Sequence, residues 1–200
     1  MLRQLWQWLE YHFFFWKLRP VGNLESVEAI VLFSSGGLSR TKFTPDSSCF
    51  DAASIALFIN DALELRGKKA LLLAQIEVAN AIRENGVDTD LLVGGMGYLT
   101  ISQVAEQFVL WLMQHHFSNL TVAVIAHPAM VTRAVKELLF HAKRVGLKIK
   151  VVIPKTLGNI YLDNQSAYWW THSDTLFVFH EFVSRLLPRW LSNWLAGKLF

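Results

Sequence analysis

The chain reads as a single α/β domain built on a mainly parallel sheet of about five strands. Three observations predict this. From Val27 onward short apolar runs alternate with longer stretches of helical spacing. The runs are apolar at nearly every position, as strands covered by helices on both faces must be. And 200 residues, 52% of them hydrophobic, suffice to bury a core without disulfide or metal staples.

The first run is Ala29-Ile30-Val31-Leu32-Phe33, and the second is Ala70-Leu71-Leu72-Leu73-Ala74. Leu91-Leu92-Val93, Val122-Ala123-Val124-Ile125-Ala126 and Ile149-Lys150-Val151-Val152-Ile153 follow. Between the third and fourth, Ile101, Val104, Ala105, Phe108 and Leu112 line one helical face; between the fourth and fifth, Ala134, Val135, Leu138, Leu139 and Ala142 line another. Strands joined by helices make right-handed crossovers, which give a Rossmann-like sandwich of three layers. No repeat or low-complexity linker divides it. Residues 1–22 form an aromatic amphipathic segment ahead of a domain over 23–200, which closes with a helix.

Composition narrows the partners. The net charge is only +3, and the densest basic stretch, Lys143, Arg144, Lys148 and Lys150, is broken by Val145, Gly146 and Leu147. A nucleic-acid surface needs a basic stripe with interleaved aromatics, so nucleic acid is not expected. The lone Cys49 excludes an intrachain disulfide and a multi-thiolate metal site. No histidine spacing matches a metal motif such as H-E-x-x-H, so no metal is expected.

The two ends are rich in tryptophan: Trp6, Trp8 and Trp16, then Trp190 and Trp194. Gln4, Gln7, Glu10 and His12 interrupt the first segment, which falls short of the ~20 apolar residues a spanning helix needs. Glu10 and the lack of a small-residue cleavage site argue against a signal peptide. The expectation is a cytoplasmic protein whose aromatic ends pack on the domain, form a homodimer, or touch the inner face of the membrane as interfacial helices.

In an open parallel sheet, ligands bind beyond the carboxyl ends of the strands. After the first strand stands Ser34-Ser35-Gly36-Gly37-Leu38-Ser39-Arg40, where Ser35, Gly36 and Gly37 offer backbone N–H groups to an anion and Arg40 completes the site. A plain polar loop accounts for the same residues, because the pattern is neither a P-loop nor G-x-G-x-x-G. After the third strand come Gly94 and Gly95, then Thr100 or Ser102 as the cap of a helix whose positive end suits an anion. After the fourth comes His127-Pro128-Ala129-Met130-Val131-Thr132-Arg133-Ala134, the best candidate. His127 is placed as an acid, base or hydrogen-bond donor, and Arg133 as a bidentate clamp for phosphate or carboxylate. A histidine in that position also serves as an ordinary helix cap.

The order of these features resembles the YdcF-like (ElyC/SanA/YdcF) family, of which the chain looks like a divergent member. The corresponding pieces are Gly36-Gly37, Glu77 through Gly86-Val87, Leu91-Leu92-Val93, Thr100, His127 through Arg133-Ala134, Trp169-Trp170 and Glu181, spanning roughly 27–189. The chain departs from the pattern at Gly94-Gly95-Met96, where members usually carry an acid. It departs again at Ser102-Gln103, where Glu-Asn is usual; Glu106 is the nearest acid, one turn onward. The resemblance implies a Rossmann-like domain that binds a small, nucleotide-like or phosphate-bearing ligand, with S-adenosylmethionine among the possible cofactors, and a tie to the cell envelope. The alternative is a non-catalytic, envelope- or partner-associated protein that works through its aromatic ends.

Overall fold

The computed structural model describes residues 22–34, 45–94 and 99–160. The aromatic ends, together with Trp169, Trp170 and Glu181, lie outside the described residues.

The five apolar runs form five strands: β1 (Ala29–Leu32), β2 (Leu71–Gln75), β3 (Leu91–Val93), β4 (Asn119–Ile125) and β5 (Lys148–Val152). Four helices join them: α1 (Ser47–Glu64), α2 (Ile76–Glu84), α3 (Ile101–Gln114) and α4 (Pro128–Arg144). The sheet is parallel throughout, in the order β3-β2-β1-β4-β5. With α1 packed on α2 and α3 on α4, the result is a Rossmann-like three-layer α/β sandwich.

Burial follows position in the sheet. Every residue of the central β1 is buried. β5, the outermost strand on its side among the described residues, alternates, with Lys148 and Lys150 exposed, a pattern that discourages edge-to-edge pairing. Phe33 extends the ladder by donating its N–H to the Ile125 carbonyl at 2.9 Å. Its ring meets Phe108 of α3 edge-on, with centroids 5.4 Å apart, a favourable aromatic geometry that ties the centre of the sheet to the helix above it.

The helix faces differ from the sequence expectation in one place. On α4 the buried set is Ala129, Met130, Val131, Ala134, Leu138, His141 and Ala142. Leu139, expected on the buried face, is 40% exposed. At 100° per residue the apolar set 134, 135, 138, 139, 142 is wider than the surface α3 and the sheet can cover, and His141 takes up the room on the other flank. The α3 face is as expected, with Val104, Ala105, Phe108 and Leu112 all buried. No described helix is long and apolar enough to cross a membrane.

Candidate functional site at the carboxyl edge of the sheet

Strand order places the site. The chain first builds outward from β1 to β2 and β3, then returns to the other side of β1 for β4 and β5. The strand order therefore reverses between β1 and β4, the place where sheets of this kind hold their ligands. The register keeps the carboxyl ends of the strands level, since Leu32 pairs with both Ala74 and Ile125. Ser34, Gln75 and His127 accordingly stand along one edge.

His127 caps α4. Its Nδ1 accepts the Ala129 N–H at 3.2 Å, its carbonyl accepts from Met130 and Val131, and Pro128 begins the helix. Proline suits that place because its missing N–H is one the first turn has no use for. The bond constrains the chemistry. An accepting Nδ1 carries no hydrogen, so the neutral ring holds its hydrogen on Nε2. Of acid, base and donor, this geometry selects the donor; service as a base through Nε2 requires giving up the cap. The side chain is buried. Arg133 lies further along α4, half-buried.

Thr100 caps α3 through a reciprocal box: its Oγ1 accepts the Gln103 N–H, and Gln103 Oε1 accepts the Thr100 N–H at 2.9 Å. Ser102, two residues on, lies with its Oγ 3.0 Å from His141 Nε2, so the first turn of α3 sits against the last turns of α4. About 20 Å of helix separates His127 from His141 at 1.5 Å per residue. Glu106 goes the same way, 3.7 Å from His141 Nδ1. The structure thus gathers Ser102 and Glu106 at the α3–α4 seam.

Gly94, at the end of β3, has a packing reason for being glycine. Its φ is +144°, and a Cβ there would lie 2.6 Å from Ile76 Cγ2 at the start of α2. Ser35, Gly36, Gly37, Arg40 and Gly95 lie outside the described residues.

The carboxyl edge also holds residues that strand-end reading passed over. Ser34 N–H donates to Gln75 Oε1 at 3.0 Å, which ties the chain leaving β1 to the end of β2. Ser34 Oγ lies 3.7 Å from the Sγ of buried Cys49. Asp46, also buried, caps α1 and accepts from Cys49 N and from Ser48 Oγ at 2.7 Å. Glu77 stands in the first turn of α2, and its Oε2 is shut from solvent with no hydrogen-bond partner. Burial pushes the Glu77 carboxyl above its ordinary range, and the charge of Asp46 adds to the rise; a hydrogen bond from its own backbone N–H opposes them. Burial, reinforced by Asp46, likewise lifts the Cys49 thiol well above its usual value, so this sulfur is not a ready nucleophile.

These residues had legible signals. Asp46-Ser47-Ser48 before an apolar helical run is a helix-start pattern. Glu77 lies three residues beyond Ala74, the last residue of the second apolar run. Among the described residues no three of His, Cys, Asp and Glu gather in a set able to hold a metal ion. A paired, desolvated carboxyl that holds its proton can donate a hydrogen bond.

The fold defines the class as a Rossmann-like α/β domain, with polar residues at the carboxyl ends of its strands. Compared with known proteins, the chain matches no family model, no curated protein and no solved structure at a significant level.

Proposed function

We propose that the domain binds a small, nucleotide-like molecule across the carboxyl ends of β2, β1 and β4, as its resemblance to the YdcF-like family suggests. The observation that carries this reading is the half-buried Glu77, one oxygen of which is shut from solvent and unmet, together with the buried Asp46 whose charge it feels. Unmet hydrogen-bonding capacity at the strand ends is costly unless something else fills it. In dinucleotide-binding sheets an acid at the end of the second strand takes ribose hydroxyls, and Glu77 stands two residues past β2. On the other flank, the amino end of α4 and Arg133 favour the phosphate of the same ligand. His127, with its hydrogen on Nε2, serves as a donor between the two. Any reaction is an extension of this binding, with His127 and the Glu77 carboxyl as the groups that hold protons.

The test is mass spectrometry of small molecules released from purified protein, beside Arg133→Ala. A nucleotide-like or phosphorylated compound released by the wild type and missing from Arg133→Ala supports the reading. The same compound in equal amount from both, or none from either after incubation with nucleotides and S-adenosylmethionine, refutes it.

A second reading, interaction through the aromatic ends, is favoured by the five tryptophans at positions 6, 8, 16, 190 and 194. It predicts that the protein floats with vesicles containing anionic lipid, or dimerises, and that a chain lacking residues 1–19 does neither.

A further inference from the structure

α3 and α4 pack on each other, and the buried apolar positions of α4 are repetitive. On α4 the buried Ala134, Leu138 and Ala142 recur every four residues. A slide of one turn along the helix puts each of them near the place of the next. Apolar burial is not directional, so this face by itself distinguishes poorly between the correct alignment and one shifted by a turn.

A polar set interrupts it. Ser102 Oγ lies 3.0 Å from His141 Nε2, Glu106 Oε1 lies 3.7 Å from Nδ1, and Glu137 Oε2 lies 3.9 Å from Nε2. Ser102 and His141 are buried. Such a set is a weak source of stability, because removing it from water costs about what its attractions return. It is a strong source of discrimination. A shift of one turn, about 5.4 Å, sets the imidazole against carbon and separates it from the Ser102 hydroxyl. One buried polar position is known to fix alignment between helices in this way.

We propose that Ser102, Glu106, Glu137 and His141 form a register lock that holds α3 and α4 in a single alignment. The lock does not depend on what the strand ends bind. Its consequence does reach them, since α4 is one rigid element with His141 near its end and His127 at its start; a shift at the seam moves His127 and Arg133 by the same step.

Two sets of variants of the full chain test this by NMR-detected hydrogen exchange. In His141→Leu the amides of α3 and α4 exchange at least about tenfold faster while those of β1 and β4 keep their protection. In His141→Gln, whose amide can still reach the Ser102 hydroxyl, most of the protection returns. The second set keeps the idea open to refutation if His141→Leu fails to fold. A variant carrying Ser102→Ala, Glu106→Leu, Glu137→Leu and His141→Leu melts no lower than the wild type, yet shows doubled or broadened amide resonances confined to α3 and α4. Unchanged exchange in His141→Leu overturns the lock. So does a four-site variant with one sharp set of resonances throughout the two helices.

Discussion

The two edges of this sheet treat their polar groups in opposite ways. At the amino edge each acid has an evident structural task and stays near water. Glu28 accepts the Thr121 N–H at 2.7 Å, Asp90 accepts the Leu72 N–H at 2.7 Å, and Glu25 pairs with Arg66 at 3.1 Å. These bonds close the ends of strands whose neighbours have run out, and surface pairs of this kind contribute little beyond that. At the carboxyl edge the acids are drawn inward. Asp46 is buried, and Glu77 keeps one oxygen with neither water nor partner. One edge is finished as a surface, and the other holds bonding capacity in reserve.

Glycine substitutions test the contrast with the largest effect. Gly94 at the carboxyl edge combines a φ of +144° with a neighbour 2.6 Å from any added Cβ. Gly86, at the amino edge before β3, has a φ of +77° but open space around it. Gly94→Ala is expected to cost about 3 kcal/mol, from strain and displaced packing together, and to lower Tm by roughly 6–12 °C. Gly86→Ala carries the backbone strain alone, about 1 kcal/mol or 2–4 °C. Thermal unfolding followed by circular dichroism measures both. Equal losses at the two sites contradict the packing role assigned to Gly94.

The acids come next. Asp46→Ala removes the cap of α1 and an acceptor of two hydrogen bonds inside the protein, for a loss of about 2 kcal/mol. Asp90→Asn keeps a carbonyl oxygen for the Leu72 N–H, and its loss stays below about 0.5 kcal/mol. Urea titration separates these outcomes.

Glu77→Gln has an effect of the opposite sign. Because the folded state holds the Glu77 proton more tightly than the unfolded chain does, the wild type loses stability as pH rises from the unfolded carboxyl value toward the raised folded one. Glutamine does not titrate. The variant should therefore be more stable than wild type near neutral pH by about 1 kcal/mol, and the gap should close below about pH 4, where both states of the wild type are protonated. Melting curves from acid to neutral pH check the sign. A Glu77→Gln variant less stable than wild type at pH 7 removes the evidence that this carboxyl is held at a cost.

Much of the architecture was legible because burial on both faces leaves strands with almost no polar letters, as in Ala29 through Leu32. β5 was legible too, although it alternates lysine with apolar residues. Strand order was not legible, since it depends on which side of β1 the chain returns to. Thr100 as a cap could be read from its neighbours, because capping is local; the contact of Ser102 with His141 could not, because the two are 39 residues apart. His127 was found by looking just past a strand. Glu77 was missed because the same look was not taken past β2, and Asp46 because its relation to Glu77 exists only once α1 and α2 are packed together. Leu139 misled because a helix pattern shows which residues can be buried, and the neighbours decide which are.

The most direct test of the central claim, that the carboxyl edge is the working edge, is a thermal-shift screen against nucleoside phosphates and S-adenosylmethionine. It compares wild type, Glu77→Gln and Asp90→Asn. The account predicts at least one compound that raises Tm of the wild type and of Asp90→Asn, with the shift lost in Glu77→Gln. A compound that stabilises Glu77→Gln as much as the wild type, or no stabilising compound in the whole panel, contradicts it.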